Sequence, residues 1–190
     1  MTFGLVKHNN NSISAITSAG QLTQGKMTLL QTQTASSSAS ISFTSNIDST
    51  YPIYLFKFIN IHPSANANLE FNATTDGSNY NVVKTSIAFF NEHEEDGGNG
   101  QMGYSGIDEA QATGFQQLTT GSNPCDDNDG SIVGTLKIFA PSDTTFVKHF
   151  ISRTTFMGEN GPSLSIHCRS LNQSTTLKGN VLKSARNNPQ

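Results

Sequence analysis

The segment Tyr54-Leu55-Phe56-Lys57-Phe58-Ile59-Asn60-Ile61 is the most strand-like part of the chain. Aromatic and β-branched residues, which favour β-strands, make up most of it. Because side chains alternate between the two faces of a strand, the three aromatic residues from Tyr54 to Phe58 share one face, and Leu55 and Ile59 share the other. Both faces are apolar, so we expect a central strand that is partly buried on both sides.

Other β-like runs extend from this segment in both directions. They are residues 25–33, 41–44, 68–74, 80–90, 115–118, 131–139, 146–154 and 163–170. Turn residues separate them, among them Asp76-Gly77, whose glycine supplies the positive φ that tight turns need. No segment has a sustained helical repeat of apolar residues with caps. The pattern predicts an all-β chain folded as an antiparallel β-sandwich with long polar loops.

The composition fits one such domain with polar ends. Of 190 residues, 34% are hydrophobic and 13% are charged, whereas about 25% charge is typical. Ser, Thr, Asn, Gln and Gly replace the missing charge. We expect residues 1–27 to form an extended N-terminal arm or first edge elements, residues 28–177 to form the β-sandwich domain, and residues 178–190 to form a polar C-terminal tail.

Charge and patterning argue against several classes of protein. The net charge is −3 and the eleven basic residues are scattered along the sequence, whereas nucleic-acid binding needs clustered Lys and Arg. No signal peptide and no apolar run of membrane-spanning length is visible. Cys125 and Cys168 allow a disulfide but do not establish one, and the alternative for Cys168 is a small core residue in a strand.

The segment 91–103 is predicted to be a long polar loop with an acidic cluster, Glu92-His93-Glu94-Glu95-Asp96. Such a cluster either binds a cation or stays solvated, and adjacent carboxylates on an extended loop point in alternating directions. Glu94 and Asp96 are therefore candidates for ligand or partner contact. Tyr104 is a third candidate, either as a stacking surface for a sugar, as a contact with a partner subunit, or as an anchor for the loop.

The run Asp126-Asp127-Asn128-Asp129-Gly130 resembles part of a calcium loop. Alignment on Gly130 makes Asp127 and Asp129 the oxygen ligands, but the twelfth position, which needs Glu, falls on Leu136. The alternative is turn chemistry before a strand. We predict no catalytic residues and no cofactor beyond a weakly bound Ca²⁺, because the motifs of hydrolases, zinc enzymes and nucleotide-binding proteins are missing from the sequence.

Four fragments together resemble a known family of structural proteins. They are residues 43–51 (FTSNIDSTY), 54–63 (YLFKFINIHP), 69–77 (LEFNATTDG) and 134–139 (GTLKIF). In this order they resemble virion structural proteins of tailed bacteriophages, of the marine and cyanobacterial phage type, over residues 28–171. The resemblance implies a jelly-roll-like β-sandwich without catalytic residues. Where the family pattern continues with a strand pair after the position of Leu177, this chain is polar, which predicts that the N-terminal arm or a neighbouring subunit completes the sandwich.

The resemblance and the composition predict a non-enzymatic structural component of a bacteriophage particle, a capsid-decoration (cement) or tail-associated protein. It would reside in the virion after synthesis in the host cytoplasm, and its partners would be copies of itself and other virion proteins rather than nucleic acid or membrane. The alternative is a carbohydrate- or receptor-binding β-sandwich module of a fibre, with a glycan as ligand. A polysaccharide hydrolase would need two converging carboxylates, and the sequence offers no such pair.

Overall fold

A computed structural model describes residues 27–94, 97–98, 100–120, 123–158, 161–171 and 177–184. Contacts between Cα atoms divide the chain into two units, Met1–Thr32 and Gln33–Gln190. In the first unit, the described residues 27–32 are exposed and belong to no strand. In the second unit, the described residues form strands and no helix. No helix of membrane-spanning length and apolarity therefore occurs in the described part of the chain.

The described residues form ten strands. In chain order they are β1 (Ser40–Phe43), β2 (Ile53–Ile61), β3 (Leu69–Thr74), β4 (Lys84–His93), β5 (Gly100–Ser105), β6 (Gln116–Gln117), β7 (Ile132–Phe139), β8 (Lys148–Gly158), β9 (Gly161–Leu171) and β10 (Gly179–Ser184). Every pair of neighbouring strands is antiparallel. The predicted all-β class with antiparallel pairing is confirmed.

The strands form two sheets. A four-stranded sheet has the order β1-β10-β3-β6, and a six-stranded sheet has the order β2-β7-β8-β9-β4-β5. The centre of the six-stranded sheet is a meander in which β7, β8 and β9 are neighbours both in sequence and in space. Its register runs from Ile132 opposite Phe156 to Phe139 opposite His149 between β7 and β8.

Buried side chains from both sheets form one hydrophobic core. Phe71 of the four-stranded sheet meets Phe150 of the six-stranded sheet edge to face, with ring centroids 5.0 Å apart. The core cluster comprises Phe58, Leu69, Phe71, Ala73, Val82, Leu118, Ile132, Leu136, Ile138, Phe150, Phe156 and Leu177. Full burial of a large apolar side chain contributes about 1.5–3 kcal/mol, so this core is the main source of stability. Those of its residues that lie in strands occupy alternate positions, as the sequence pattern predicts.

The position of β2 differs from the prediction. Among the described strands, β2 is the first in the order of the six-stranded sheet, so it is an edge strand there, and the prediction of a central strand is wrong. Tyr54 and Phe58 are buried, whereas Ile53 is 50% exposed. Phe56 packs edge to face against Phe43 of β1, with centroids 5.4 Å apart. The aromatic richness of β2 therefore reflects contacts with the other sheet and its core, not burial on both faces.

The C-terminal region also differs from the prediction. Residues 179–184 form β10, which lies between β1 and β3, so the prediction of a polar tail at 178–190 is wrong for them. Leu177 is fully buried in the core, and the backbone N–H of Lys178 donates to the carbonyl of Thr74 (2.8 Å). Backbone hydrogen bonds to two neighbouring strands hold β10 in place, and these do not depend on apolar side chains. β10, a strand of the same chain, thus occupies the position that the sequence analysis assigned to the N-terminal arm or a neighbouring subunit. Residues 185–190 lie outside the described residues.

The predicted strand at 25–33 is wrong over its described part. Residues 27–35 are exposed and have no strand structure. The apolar side chains of this segment do not pack into the core; Leu29, for example, is 83% exposed. Residues 25–26, and the predicted arm at 1–27 except Met27, lie outside the described residues.

The predicted turn at Asp76-Gly77 is present, but it has a different role from a hairpin turn. Gly77 has φ 90°, and the Asp76 carboxylate accepts hydrogen bonds from the backbone N–H groups of Ser78 and Asn79 (2.8 and 2.7 Å). These bonds hold the pKa of Asp76 well below its usual value. The chain continues from β3 into β4 of the other sheet, so the turn directs a crossing between the sheets.

Candidate partner-contact surface

The segment predicted as a long loop at 91–103 is mostly a β-hairpin. β4 continues to His93 and β5 begins at Gly100, with Phe89 opposite Tyr104 and Asn91 opposite Met102. Gly103 lies opposite Phe90, and a Cβ there would lie 3.1 Å from the Phe90 ring, so a larger residue would require the ring to shift by a few tenths of an ångström. Only residues 94–99 connect the two strands.

Tyr104 lies in the edge strand β5 rather than in a loop. Its ring meets that of Phe89 edge to face, with centroids 5.9 Å apart, and both rings are about half exposed. Met102, two residues away on the same strand face, is 82% exposed. We call these three residues, Phe89, Met102 and Tyr104, the hairpin patch. It is apolar and exposed, which is typical of contact surfaces for partners.

The acidic candidates lie beside this hairpin. Glu92 accepts a hydrogen bond from the side chain of Gln101, and the His93 ring Nδ1 lies 2.8 Å from the Glu94 carbonyl oxygen. Glu94 is half-buried, and Asp96 lies outside the described residues. A partner role for Glu94 and Asp96 stays a prediction.

The hairpin patch belongs to a larger surface, the side of the six-stranded sheet that is turned away from the core. We call it the outward face. In addition to the hairpin patch, its exposed apolar side chains include Ile53 of β2, Val133 of β7 and Ile151 of β8. Isolated exposed apolar residues are common on protein surfaces, whereas several of them on one sheet face are typical of a contact surface.

Three cations lie on the same outward face. Lys57 and Arg153 are each paired with Thr135, one from either side, and Lys137 lies two residues further along the same strand as Thr135. All three charged side chains are exposed. Because neighbouring strands are about 4.8 Å apart, the three Cα atoms lie within roughly 10 Å of one another. The described strands carry no Asp or Glu at an outward position of this sheet.

Sequence reasoning missed this basic group because the three residues are up to 96 positions apart (153 − 57). The pairing register alone brings them together. The order of the strands in the sheet was needed to make them neighbours.

The predicted calcium ligands lie in a well-anchored loop, Cys125 to Gly130. The N–H of Gly130 donates to the Asp127 carbonyl (2.8 Å), the N–H of Cys125 donates to the Met157 carbonyl (2.9 Å), and the N–H of Asp126 donates to Asn66 Oδ1 (3.0 Å). Asp127 and Asp129 are exposed. The described residues contain no group of three or more His, Cys, Asp or Glu side chains placed to hold a metal ion. A weak Ca²⁺ site at Asp127 and Asp129 stays a prediction.

The packing of this loop leaves no room for a side chain at Gly130. A Cβ at Gly130 would lie 2.6 Å from Cys125 Sγ and 2.8 Å from the Cys125 carbonyl. Cys125 is buried and its thiol is free. The sequence left open a bridge between Cys125 and Cys168, and the structure does not contain it.

Two buried lysines were also missed by sequence reasoning. Lys84 Nζ donates to Asn72 Oδ1 and to the Val82 carbonyl, both at 2.9 Å. Burial lowers the pKa of Lys84 to about 8, and the charge of Glu109 partly opposes this effect. Burial likewise lowers the pKa of Lys148, whose amine donates to the Asp143 carbonyl. The signal was in the sequence, since both lysines alternate in phase with buried residues such as Ala88 and Phe150.

The contacts of Lys84 are those of a structural residue and not those of a solvent-accessible binding site. The amide nitrogen of its partner Asn72 donates to the carbonyls of Tyr80, Thr113 and Gly114 at 2.7–3.1 Å. Lys84 and Asn72 therefore fasten β3, β4 and the segment 112–114 together.

No protein-family model, curated protein or solved structure matches the chain. The function is therefore inferred from the strand order, the outward face and the sequence fragments.

Proposed function

We propose that the chain is a non-enzymatic structural component of a bacteriophage particle, a capsid-decoration or tail-associated protein. It acts by packing against copies of itself and other virion proteins, and it resides in the virion after synthesis in the host cytoplasm. The observation that carries this proposal is the order of the strands in the two sheets.

We further propose that the two sheets form a jelly-roll β-sandwich. In an eight-stranded jelly roll, one sheet contains the first, last, third and sixth strands, and the other contains the second, seventh, fourth and fifth. The order β1-β10-β3-β6 has the first pattern, and the order β2-β7-β8-β9-β4-β5 has the second if the meander β7-β8-β9 takes the place of the seventh strand. Because the last of three consecutive antiparallel strands runs in the same direction as the first, β9 runs in the direction that a single seventh strand would have. The topology of the remaining strands is therefore unchanged.

This topology supports a particle protein because jelly rolls are common in viral capsid domains. The sequence fragments that resemble phage virion proteins fall on β2, β3 and β7, which are strands of both sheets. The exposed apolar residues of the outward face support an assembling protein over an isolated one, because a monomer gains nothing from exposing them.

The test is the protein content of the particle itself. Particles of the phage that encodes the chain are purified by density gradient, and the chain is quantified against the major capsid protein by mass spectrometry. We expect a fixed copy number for each particle that survives a salt wash. Preparations of intact infectious particles that lack the chain would refute the proposal.

The second candidate is a carbohydrate-binding module, since lectins also use the jelly roll. The observation that favours it is the half-exposed ring of Tyr104 on the strand β5, which meets the ring of Phe89 edge to face. Glycan-array binding in the presence of Ca²⁺ that is lost in Tyr104→Ala and kept in Tyr51→Ala would establish this function in place of packing.

A further inference from the structure

We infer that the outward face of the six-stranded sheet binds a second copy of this chain, through the surface of that copy that carries the acidic loop Cys125–Gly130. This inference rests on the proposed function and adds the surface, the partner and the symmetry of the contact. Apolar residues supply the area of the face, and Lys57, Lys137 and Arg153 supply its charge.

The size of the face suits a stable protein contact. Six strands about 4.8 Å apart, each with about 25 Å of outward-facing length, give roughly 700 Å². A standard interface buries about 800 Å² on each partner. Ile151 is opposite Lys137 and two residues from Arg153 on β8, so apolar area and positive charge are mixed on the face.

The charge distribution selects an acidic partner. The chain carries a net charge of −3, yet the outward positions of the described strands in this sheet hold cations and no carboxylate. The remaining surface is therefore more acidic than the whole chain. A protein with one basic face and an acidic remainder attracts copies of itself in a head-to-tail orientation.

The same charges exclude a symmetric contact of the outward face with itself. In a two-fold symmetric dimer the same patch faces its own copy, which would place Lys57, Lys137 and Arg153 against the same three cations. Like charges in an interface are costly. The contact is therefore heterologous, and repeated contacts of this kind give a ring or an extended array, as expected of a particle protein.

The loop Cys125–Gly130 is the acidic surface that we assign to the partner role, because it carries three exposed carboxylates close together in the chain. The carboxylates of Asp48, Asp76 and Asp143 already accept hydrogen bonds from backbone N–H groups of their own loops. The exposed side chains of Asp126, Asp127 and Asp129, by contrast, accept no hydrogen bond from the described residues. The backbone bonds of this loop hold it in one conformation, which lowers the entropy cost of binding.

The experiment measures self-association of the full chain by sedimentation velocity at about 100 µM protein. We expect oligomers at about 50 mM salt and monomers at about 500 mM salt, where charges are screened within a few ångströms. Lys137→Glu/Arg153→Glu and Asp127→Lys/Asp129→Lys should each raise the dissociation constant at least about tenfold. Lys178→Glu, an exposed lysine outside the face, is the matched control and should associate like the wild type. Circular dichroism confirms that each variant is folded.

Mixing the two double variants tests directly whether the contact joins two different surfaces. Each variant keeps one intact half of the contact, so an equimolar mixture should form heterodimers although neither variant associates alone. A mixture that stays monomeric would overturn the inference, as would a wild-type protein that is monomeric at low salt or an oligomer that neither double variant weakens.

Nucleic acid is the competing occupant of a basic face with aromatic residues. Binding of a single-stranded oligonucleotide that is lost in Lys137→Glu/Arg153→Glu, without any self-association of the wild type, would overturn the second copy as the occupant. If the chain is present in purified particles but the double variants leave its self-association unchanged, this inference fails while the proposed function stands.

Discussion

Lys84 and Lys148 are paired with the same residue, Leu171, from opposite sides of β9. Both lysines are fully buried, and two strand spacings of about 4.8 Å separate their Cα atoms. Each amine is satisfied by oxygen acceptors, Asn72 and Val82 for Lys84 and Asp143 for Lys148. One row of the sheet thus places two amines inside the protein, and their burial makes stability depend on pH.

The unfolding free energy should rise between pH 8 and pH 10.4 because of Lys84. Its pKa is about 8 in the folded chain and about 10.4 in the unfolded chain. Between these values the unfolded chain binds more protons, so stability rises with pH, and the cost of burying the charged amine is fully present below pH 8. Over this pH range, the unfolding free energy of Lys84→Met should rise by about 2–3 kcal/mol less than that of the wild type.

Urea denaturation at pH 7.5, 9 and 10 measures this effect, with the exposed Lys178→Met as the control. Lys148 and Tyr54, whose pKa values are also shifted by burial, are present in all three proteins and cancel in the comparison. Equal pH slopes for the wild type and Lys84→Met would contradict the prediction.

Gly134→Ala should destabilise the six-stranded sheet by about 1–3 kcal/mol. A Cβ at Gly134 would lie 2.5 Å from the Arg153 carbonyl oxygen and 2.9 Å from Thr154 Cα. These are backbone atoms of a paired strand, so they move only with the sheet. Gly106→Ala is the matched control, because its Cβ would have no neighbour within 4 Å. The midpoint of urea denaturation measures both, and equal midpoints would show that β7 and β8 separate easily at this point.

Two hydroxyl groups on the inner side of β8 should respond oppositely to removal. The buried Ser152 Oγ has no hydrogen-bond partner among the described residues, so Ser152→Ala should be neutral or stabilise by up to about 1 kcal/mol. Thr154 Oγ1 donates to the Leu118 carbonyl. Thr154→Val keeps the shape but leaves that buried carbonyl without this donor, at a cost of about 1–3 kcal/mol. Thermal unfolding compares the stabilities of the two variants. A larger loss of stability in Ser152→Ala than in Thr154→Val would refute the prediction.

Removal of residues 179–190 should abolish cooperative unfolding. β10 lies between β1 and β3 and pairs with both, from Ser40 opposite Lys183 to Gly179 opposite Thr74. Without it, β1 loses its pairing partner and β3 becomes an exposed edge, a common start of aggregation. A chain that ends after Ser184 keeps the strand and serves as the control. Retention of a sharp thermal transition in the shorter chain would show that β10 is dispensable.

The strand content of this protein was readable from its sequence. Alternation of apolar residues located β2, β3, β7 and β8 to within a few residues, because a strand with one face on a core must place apolar side chains at every second position. The same alternation failed for β10, which is polar, and for residues 27–33, which are apolar enough for a strand but are exposed and form none. Pairing by backbone hydrogen bonds is independent of side-chain polarity, so the sequence pattern does not report it.

The proposed contact surface was decided by the tertiary structure alone. The sequence marked Tyr104 as a candidate, but it assigned the residue to a loop and had no means to place it beside Phe89. Lys57, Lys137 and Arg153 are distant in sequence and become neighbours only through the register of β2, β7 and β8. Composition and alternation are local properties of a chain, whereas the charge of a sheet face depends on which strands are adjacent, and long-range pairing within the folded core determines that order.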